Sequence, residues 1–345
     1  MSTTKKVLIK DIAEAVCCSP STVSIVLADK GDRYRVSQSK QQEIISVARE
    51  MGYIFSKSGG SEQDKDTLII AIFICFDDHM PLRSMFHGMS EFPAFGGKRL
   101  DFSMHPYQPD ALWKYESIFT DKRYDGVIFV PSTETDVEFL EKSDYDFPCV
   151  IMGRIVKKYC SVIINRYEPG EVAAKIFLAK GFKRVAILRK SGSKSGMLRT
   201  FAFVSTYKES NDADSGIMIT EAEIGKDALF AVNKLLSAKG DLPEAVFIAD
   251  PNRLSGVLRS VHDNNITLPD DLELLAFGDY EDNSLSESLY PSISSVGPPI
   301  KQMMMDSIDL LCKQIKGPSL CGMIRELPIE VRFRDSCPKP DSWNL

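Results

Sequence analysis

The stretch Ile9-Lys10-Asp11-Ile12-Ala13-Glu14-Ala15-Val16-Cys17-Cys18-Ser19-Pro20-Ser21-Thr22-Val23-Ser24-Ile25-Val26-Leu27 decides the reading of this chain. Ile9, Ile12, Ala13 and Val16 recur at i, i+3, i+4 and i+7, which is one apolar face of a helix. Ser19-Pro20 is a restart signal, since serine caps helices and proline suits the first helical position. Val23, Val26 and Leu27 then repeat the apolar spacing. Ser37 caps a third helix, with Ile44, Ile45, Val47, Ala48 and Met51 inward and Gly52 as its stop. Short helices, the first two joined by a tight turn, make a helix-turn-helix unit. The second helix presents Ser19, Pro20, Ser21, Thr22, Ser24 and Ile25 at its start and outer face. Small side chains there suit base edges and thymine methyls in a major groove. Lys5, Lys10, Arg33 and Arg35 are the candidate phosphate contacts, with Lys6 beside them. Double-stranded DNA is the expected partner of this unit.

Working outward, the 345 residues suit two or three domains. With 43% hydrophobic and 26% charged residues the chain reads as globular. No apolar run is long enough to span a bilayer, and the basic start lacks an apolar signal core, so a cytoplasmic protein without membrane partners is expected. The net charge of −6 argues against nucleic acid, but its distribution does not. Residues 1–57 hold nine Lys or Arg against six acids, a balance of +3, which leaves −9 for the remainder. A basic head on an acidic body suits a DNA reader with a separate sensing part. The eight cysteines form no C-x-x-C pair and sit largely in apolar runs, as reduced structural thiols do.

Beyond residue 67 short apolar runs alternate with helical patterns. Strands are expected at Leu68–Phe76, Gly126–Val130, Cys149–Met152, Arg184–Leu188, Ala245–Ala249 and Leu272–Phe277. Helices are expected at Glu168–Lys180, Asp227–Lys239 and Lys301–Lys316. That alternation implies parallel sheets covered by helices, and the length suffices for two lobes. The expected class is therefore α/β, behind an all-α helix-turn-helix head.

The head, with Val36-Ser37 and Met51-Gly52-Tyr53, resembles the DNA-binding headpiece of the lactose/galactose repressor (LacI/GalR) family. The body resembles that family's effector domain at YDGVI (124–128), FPCVI (147–151), SVIIN (161–165), GFKRVAIL (181–188), VFIAD (246–250) and YPSISSV (290–296). The resemblance implies a head over 1–57, a linker over 58–67, and two Rossmann-like lobes of the periplasmic-binding-protein type over 68–345. The N-lobe is expected near 68–164 and 294–322, and the C-lobe near 165–293 and 323–337, with crossovers near 164–166, 292–295 and 322–324. It further implies a homodimer on a near-palindromic operator, acting as a repressor and controlled by a small effector, a sugar or related metabolite. No leucine-heptad tail follows the last expected strand, which favours a dimer.

Ligands of open α/β sheets bind outside the carboxyl ends of the strands. The effector candidates are Phe76, Asp78, Arg154, Asp250 and Asp279, and Arg199, which sits where the family places an effector-gripping arginine. Asp77, Ser191 to Ser195 and Gly278 lie at the same ends. The chain also departs from the family. Cys17 stands where glycine is usual, Ile25 where arginine is usual, and Ala28 where asparagine is common, so the operator cannot be borrowed from relatives. Gly153, Asp250-Pro251 and Gly278 replace usual polar groups of the pocket, which puts a plain monosaccharide in doubt. The linker FSKSGGSEQDKD (55–66) lacks the alanine and leucine of the family's hinge helix: either DNA bending is weaker, or Ile54 or Phe55 does the wedging. The charged loop with Lys30, Arg33 and Arg35 reads either as phosphate-contacting or as merely solvated.

Catalysis is not expected. The four histidines, His79, His87, His105 and His262, have no i, i+4 partner for a metal, and no G-x-S-x-G or complete phosphate loop occurs. No cofactor is expected. The competing reading is a soluble small-molecule-binding protein of the periplasmic type without DNA function.

Overall fold

Leu68 to Cys75 is apolar at every position, the pattern of a parallel strand buried on both faces. In the computed structural model it forms that strand, at the centre of the larger of two compact units, which divide between Leu68 and Ile69. The structure describes residues 8–27, 31, 34–51, 66–76, 81–210, 216–221, 233, 242–250, 254–278, 289–317 and 322–343.

The first unit contains α1 (Ile9–Ala15), α2 (Pro20–Leu27) and α3 (Gln38–Glu50). Ile12, Ala13, Val16, Val23, Val26, Ile44 and Ala48 are buried together, with Ile9, Leu27, Ile45, Val47 and Met51 half-buried around them. Pro20 takes the first helical position, where its missing N–H costs nothing. The stop at Gly52, and the linker with its hinge question, lie outside the described residues.

The second unit starts inside β1 (Thr67–Cys75), at Ile69, and continues through α4 (Leu82–Ser90), β2 (Ala94–Phe95), β3 (Lys98–Tyr107), a 3₁₀ turn at Leu112–Tyr115, α5 (Glu116–Phe119), β4 (Gly126–Val130), α6 (Glu134–Lys142), β5 (Cys149–Met152) and β6 (Cys160–Ile164). Next come α7 (Glu168–Ala179), β7 (Arg184–Arg189), α8 (Lys194–Ser210), β8 (Gly216–Glu221), β9 (Ala245–Ile248), α9 (Leu254–Asp263), β10 (Glu273–Phe277) and β11 (Ser294–Gly297). The described part ends with α10 (Ile300–Lys316), β12 (Ile324–Leu327) and β13 (Glu330–Arg332). The expected helix at Asp227–Lys239 lies outside the described residues.

Two sheets result. One runs β12-β6-β5-β4-β1-β3-β2, and the other β13-β11-β10-β9-β7-β8. Within the first, β12, β6, β5, β4 and β1 pair in parallel, from Ile324↔Ser161 to Ile70↔Gly126. Within the second, all pairs are parallel except β11 with β13. These are two Rossmann-like lobes. Phe73, Phe119, Phe129 and Tyr107 fill one side of the first sheet. Phe177, Phe203, Tyr207 and Phe247 fill one side of the second.

The crossovers correct the expected lobe limits. The first, after β6, falls as expected. Ser294–Gly297 was expected in the N-lobe, yet it pairs with Leu275 to Phe277 of the second sheet. Ile324–Leu327 was expected in the C-lobe, yet it pairs with β6 of the first. The chain therefore crosses at 298–299 and 328–329. Both points are prolines, Pro298-Pro299 and Pro328, which lack the N–H a ladder needs and so end each strand where the chain leaves its sheet.

Candidate functional site

In the first unit the candidate reading surface starts from a capped turn. Cys18 N–H donates to the Ala13 carbonyl at 3.0 Å and Cys17 N–H to the Glu14 carbonyl at 3.4 Å. With Cys17 at φ 49°, this is a Schellman end to α1. That position favours glycine, which gives a physical meaning to the glycine usual there. Ser19 then caps α2: its hydroxyl oxygen accepts the Thr22 N–H at 3.1 Å and lies 2.7 Å from the Ser21 hydroxyl and 2.8 Å from that of Thr22. Ser19, Pro20, Ser21 and Ser24 are exposed, while Thr22 and Ile25 are half-buried. Lys10 and Arg35 are exposed on the same small unit, whereas Lys5 and Arg33 lie outside the described residues. Lys40, which the sequence reading did not single out, donates to the Val16 carbonyl at 2.7 Å and pairs with Glu43 at 2.9 Å. It ties α3 to the turn that sets the pitch of α2.

In the second unit the functional candidates lie past the carboxyl ends of strands. Phe76 follows β1 and is 47% exposed, its N–H donating to the Tyr107 carbonyl. Arg154 follows β5 and donates to the carbonyls of Gly153 at 3.0 Å and Ser132 at 2.8 Å. Arg199, on α8, is 6% exposed. It donates to the Ala249 carbonyl at 2.6 Å and to Asp250 Oδ1 at 2.9 Å, and its guanidinium lies 3.8 Å from the Phe277 ring centre. Asp250 follows β9, and its carboxylate also accepts from the Lys190 N–H at 2.9 Å and the Ser193 hydroxyl at 3.0 Å. Ser193 in turn caps α8 through the Gly196 N–H at 3.0 Å. A Cβ on Gly196 would stand 2.2 Å from Asp250 Oδ2, so only glycine lets the carboxylate settle over the helix start. Asp250 is thus committed to holding Arg199. Asp78 and Asp279 lie outside the described residues.

One candidate residue at the first crossover escaped the sequence reading. Arg166 follows β6 at the first crossover and donates to the Ser195 hydroxyl at 3.0 Å, joining the crossover to the start of α8. Its position directly after SVIIN was the available signal. Burial lowers the Arg199 guanidinium to about 10; Asp250 opposes that fall, and Arg166 and Arg154 add to it. Burial also lowers Arg154, with Arg166 adding to the fall and Glu134 opposing it. Arginines from both lobes therefore act on one another. Among the described residues, no group of three or more His, Cys, Asp or Glu could hold a metal ion.

Residues 8–56 match the family described as bacterial regulatory proteins, lacI family. Residues 174–337 match a periplasmic binding protein-like domain. The chain thus carries a LacI-family DNA-binding domain followed by a periplasmic-binding-protein-like domain. Among its relatives, catabolite control protein A of Priestia megaterium is 24% identical, over 96% of this chain and 99% of that protein. The HTH-type transcriptional repressor PurR of Vibrio campbellii is 22% identical, over 96% and 98%. Among solved structures, the Lac repressor dimer bound to operator and an anti-inducer superposes with a TM-score of 0.64 at 17% identity, covering 97% of this chain and 100% of that one. The fold of the helical head and of the two α/β lobes is thus shared with that structure. Among the described residues no helix is long and apolar enough to cross a membrane.

Proposed function

We propose that this protein is a sequence-specific DNA-binding transcriptional repressor, without enzymatic activity, that works in the cytoplasm as a homodimer and responds to a small metabolite held between its lobes. The observation that supports it best is the start of α2. Ser19, Pro20, Ser21 and Ser24 are exposed on a helix whose end is capped by Ser19 and whose pitch is set by a buried three-helix core. That arrangement suits insertion into a major groove. The relatives agree in kind: one is an HTH-type transcriptional repressor by name, another is seen as a dimer on its operator, and a LacI family transcriptional regulator from Enterococcus faecium holds ribose. In a dimer, two heads would lie about one helical turn apart on a near-palindrome. An effector that shifts the lobes would change the spacing of the heads, and so the affinity of two-headed binding. Lys10, Arg33, Arg35 and Lys5 would supply the phosphate contacts, and Ser21, Ser24 and Ile25 the base contacts.

The test is selection of bound fragments from a random DNA pool with the full-length protein at two salt concentrations. The expected result is an inverted repeat, bound more weakly at the higher salt. Recovery of unrelated sequences at both concentrations would overturn the reading.

A further inference from the structure

We infer that the cleft between the lobes takes an anionic effector, a small metabolite bearing an oxyanion group, gripped by Arg154, Arg166 and Arg199. The inference rests on the cleft being the effector site and names the chemistry of its ligand. Arg154 and Arg166 follow the neighbouring parallel strands β5 and β6, Arg166 bonds Ser195 one turn before Arg199 on α8, and Arg154 and Arg166 both act on the Arg199 charge. Each has five N–H donors and a permanent positive charge. Against them, among the described residues, stands one carboxylate at ion-pair distance, Asp250 on Arg199.

The hydrogen bonds tell the same story. Among the described residues Arg154 has two carbonyl acceptors, and Arg166 the Ser195 hydroxyl, which carries no charge. Among the described residues the Nε atoms of Arg154 and Arg166 are both buried and make no hydrogen bond. Buried donors are normally satisfied by protein, water or a ligand, so two of them beside a cluster of like charges suit an acceptor-rich ligand. Clustering partly buried charges of one sign is costly unless an opposite charge joins them. A phosphate or carboxylate supplies both the charge and the planar or forked acceptors that guanidinium binds in pairs. A neutral sugar supplies hydroxyl acceptors but leaves the charge uncompensated.

Calorimetry on the full-length protein at fixed ionic strength tests this, with inorganic phosphate, D-ribose 5-phosphate, citrate and neutral D-ribose as probes. The expected result is binding of at least one anion and a much weaker response to D-ribose. Ribose 5-phosphate against citrate distinguishes a phosphate-bearing from a carboxylate-bearing ligand. Arg166→Gln removes a charge-assisted contact and should weaken the anion about tenfold to a hundredfold. Its thermal midpoint should stay close to that of the unaltered protein, because Arg166 makes one neutral contact. Arg166→Lys, which keeps the charge but not the fork, should recover part of the affinity. Failure of all three anions to bind overturns the inference, as does anion binding that Arg166→Gln leaves unchanged. D-ribose binding as tightly as its phosphate also overturns it, while leaving the effector cleft intact. The operator selection uses no effector, so it judges the regulator reading separately.

Discussion

Cys17 shows how one side chain is held to a conformation it does not prefer. The Schellman end of α1 needs a left-handed residue at this point, and Cys17 supplies it at φ 49°. For an L-residue that conformation costs about 1–2 kcal/mol, partly offset because glycine loses more backbone freedom on folding. Cys17→Gly should therefore stabilise the head by about 0.5–1 kcal/mol. Amide exchange at Val23 and Ile44 in the full-length protein should slow by about twofold to fivefold; faster exchange would count against the strain. Asp250 makes the opposite case. Its carboxylate is the acceptor that compensates the buried Arg199 charge. Asp250→Ala should cost about 3–5 kcal/mol, the usual penalty for stranding a buried charge. Urea unfolding would show it as a lower midpoint, and a loss below about 1 kcal/mol would mean the pair is dispensable.

At the scale of elements, α2 separates specificity from affinity. Ser21 is exposed and Ile25 half-buried on the helix proposed to meet bases, so on that proposal Ser21→Ala or Ile25→Ala should relax sequence preference. Lys10 is exposed on α1, and Lys10→Ala should weaken binding to all sequences and make the salt slope shallower by about one unit. Unchanged selectivity in the first two variants would mean another surface reads the DNA. Strand β7 is pinned by a different device. Glu244, just before β9, accepts the N–H groups of Lys183 and Arg184, each at 2.7 Å. Burial raises its pKa, but these backbone hydrogen bonds outweigh that and bring it below the ordinary 4.5. A carboxylate whose folded pKa is depressed stabilises the fold above its unfolded value, and that contribution is lost as pH falls through the folded one. Glu244→Gln should lower stability at neutral pH by roughly 1 kcal/mol and flatten the acid limb below about pH 4.5. Urea midpoints taken down the pH scale would reveal it, and parallel curves for the two proteins would deny it.

Across the whole molecule, the head and the body are separate compact units, each with its own core. Removal of residues 1–57 should abolish operator binding while leaving the anion response of the cleft unchanged. Loss of both would show that the body depends on the head for its fold.

Much of this was legible in the chain, for reasons that differ by element. Gly126–Val130 and Cys149–Met152 have the same limits in the structure as in the sequence reading, because central parallel strands are apolar throughout and turn residues bound them. Lys98–Tyr107 and Gly216–Glu221 were not read as strands. The first carries charges and a proline, and the second lies at a sheet edge with no fully buried residue, so neither shows an apolar run.

What the sequence alone determined is whatever depends on neighbours a few residues apart: the capped helix start at Ser19-Pro20, the apolar face of α1, the central strands, and through them the family. Only the tertiary structure decided which sheet Ser294–Gly297 and Ile324–Leu327 join, since both runs are short and strand-like and the choice lies in distant hydrogen-bond partners. It alone brought Arg166 to Ser195 and committed Asp250 to Arg199. A charge cluster assembled from separate strand ends has no local periodicity or spacing to announce it.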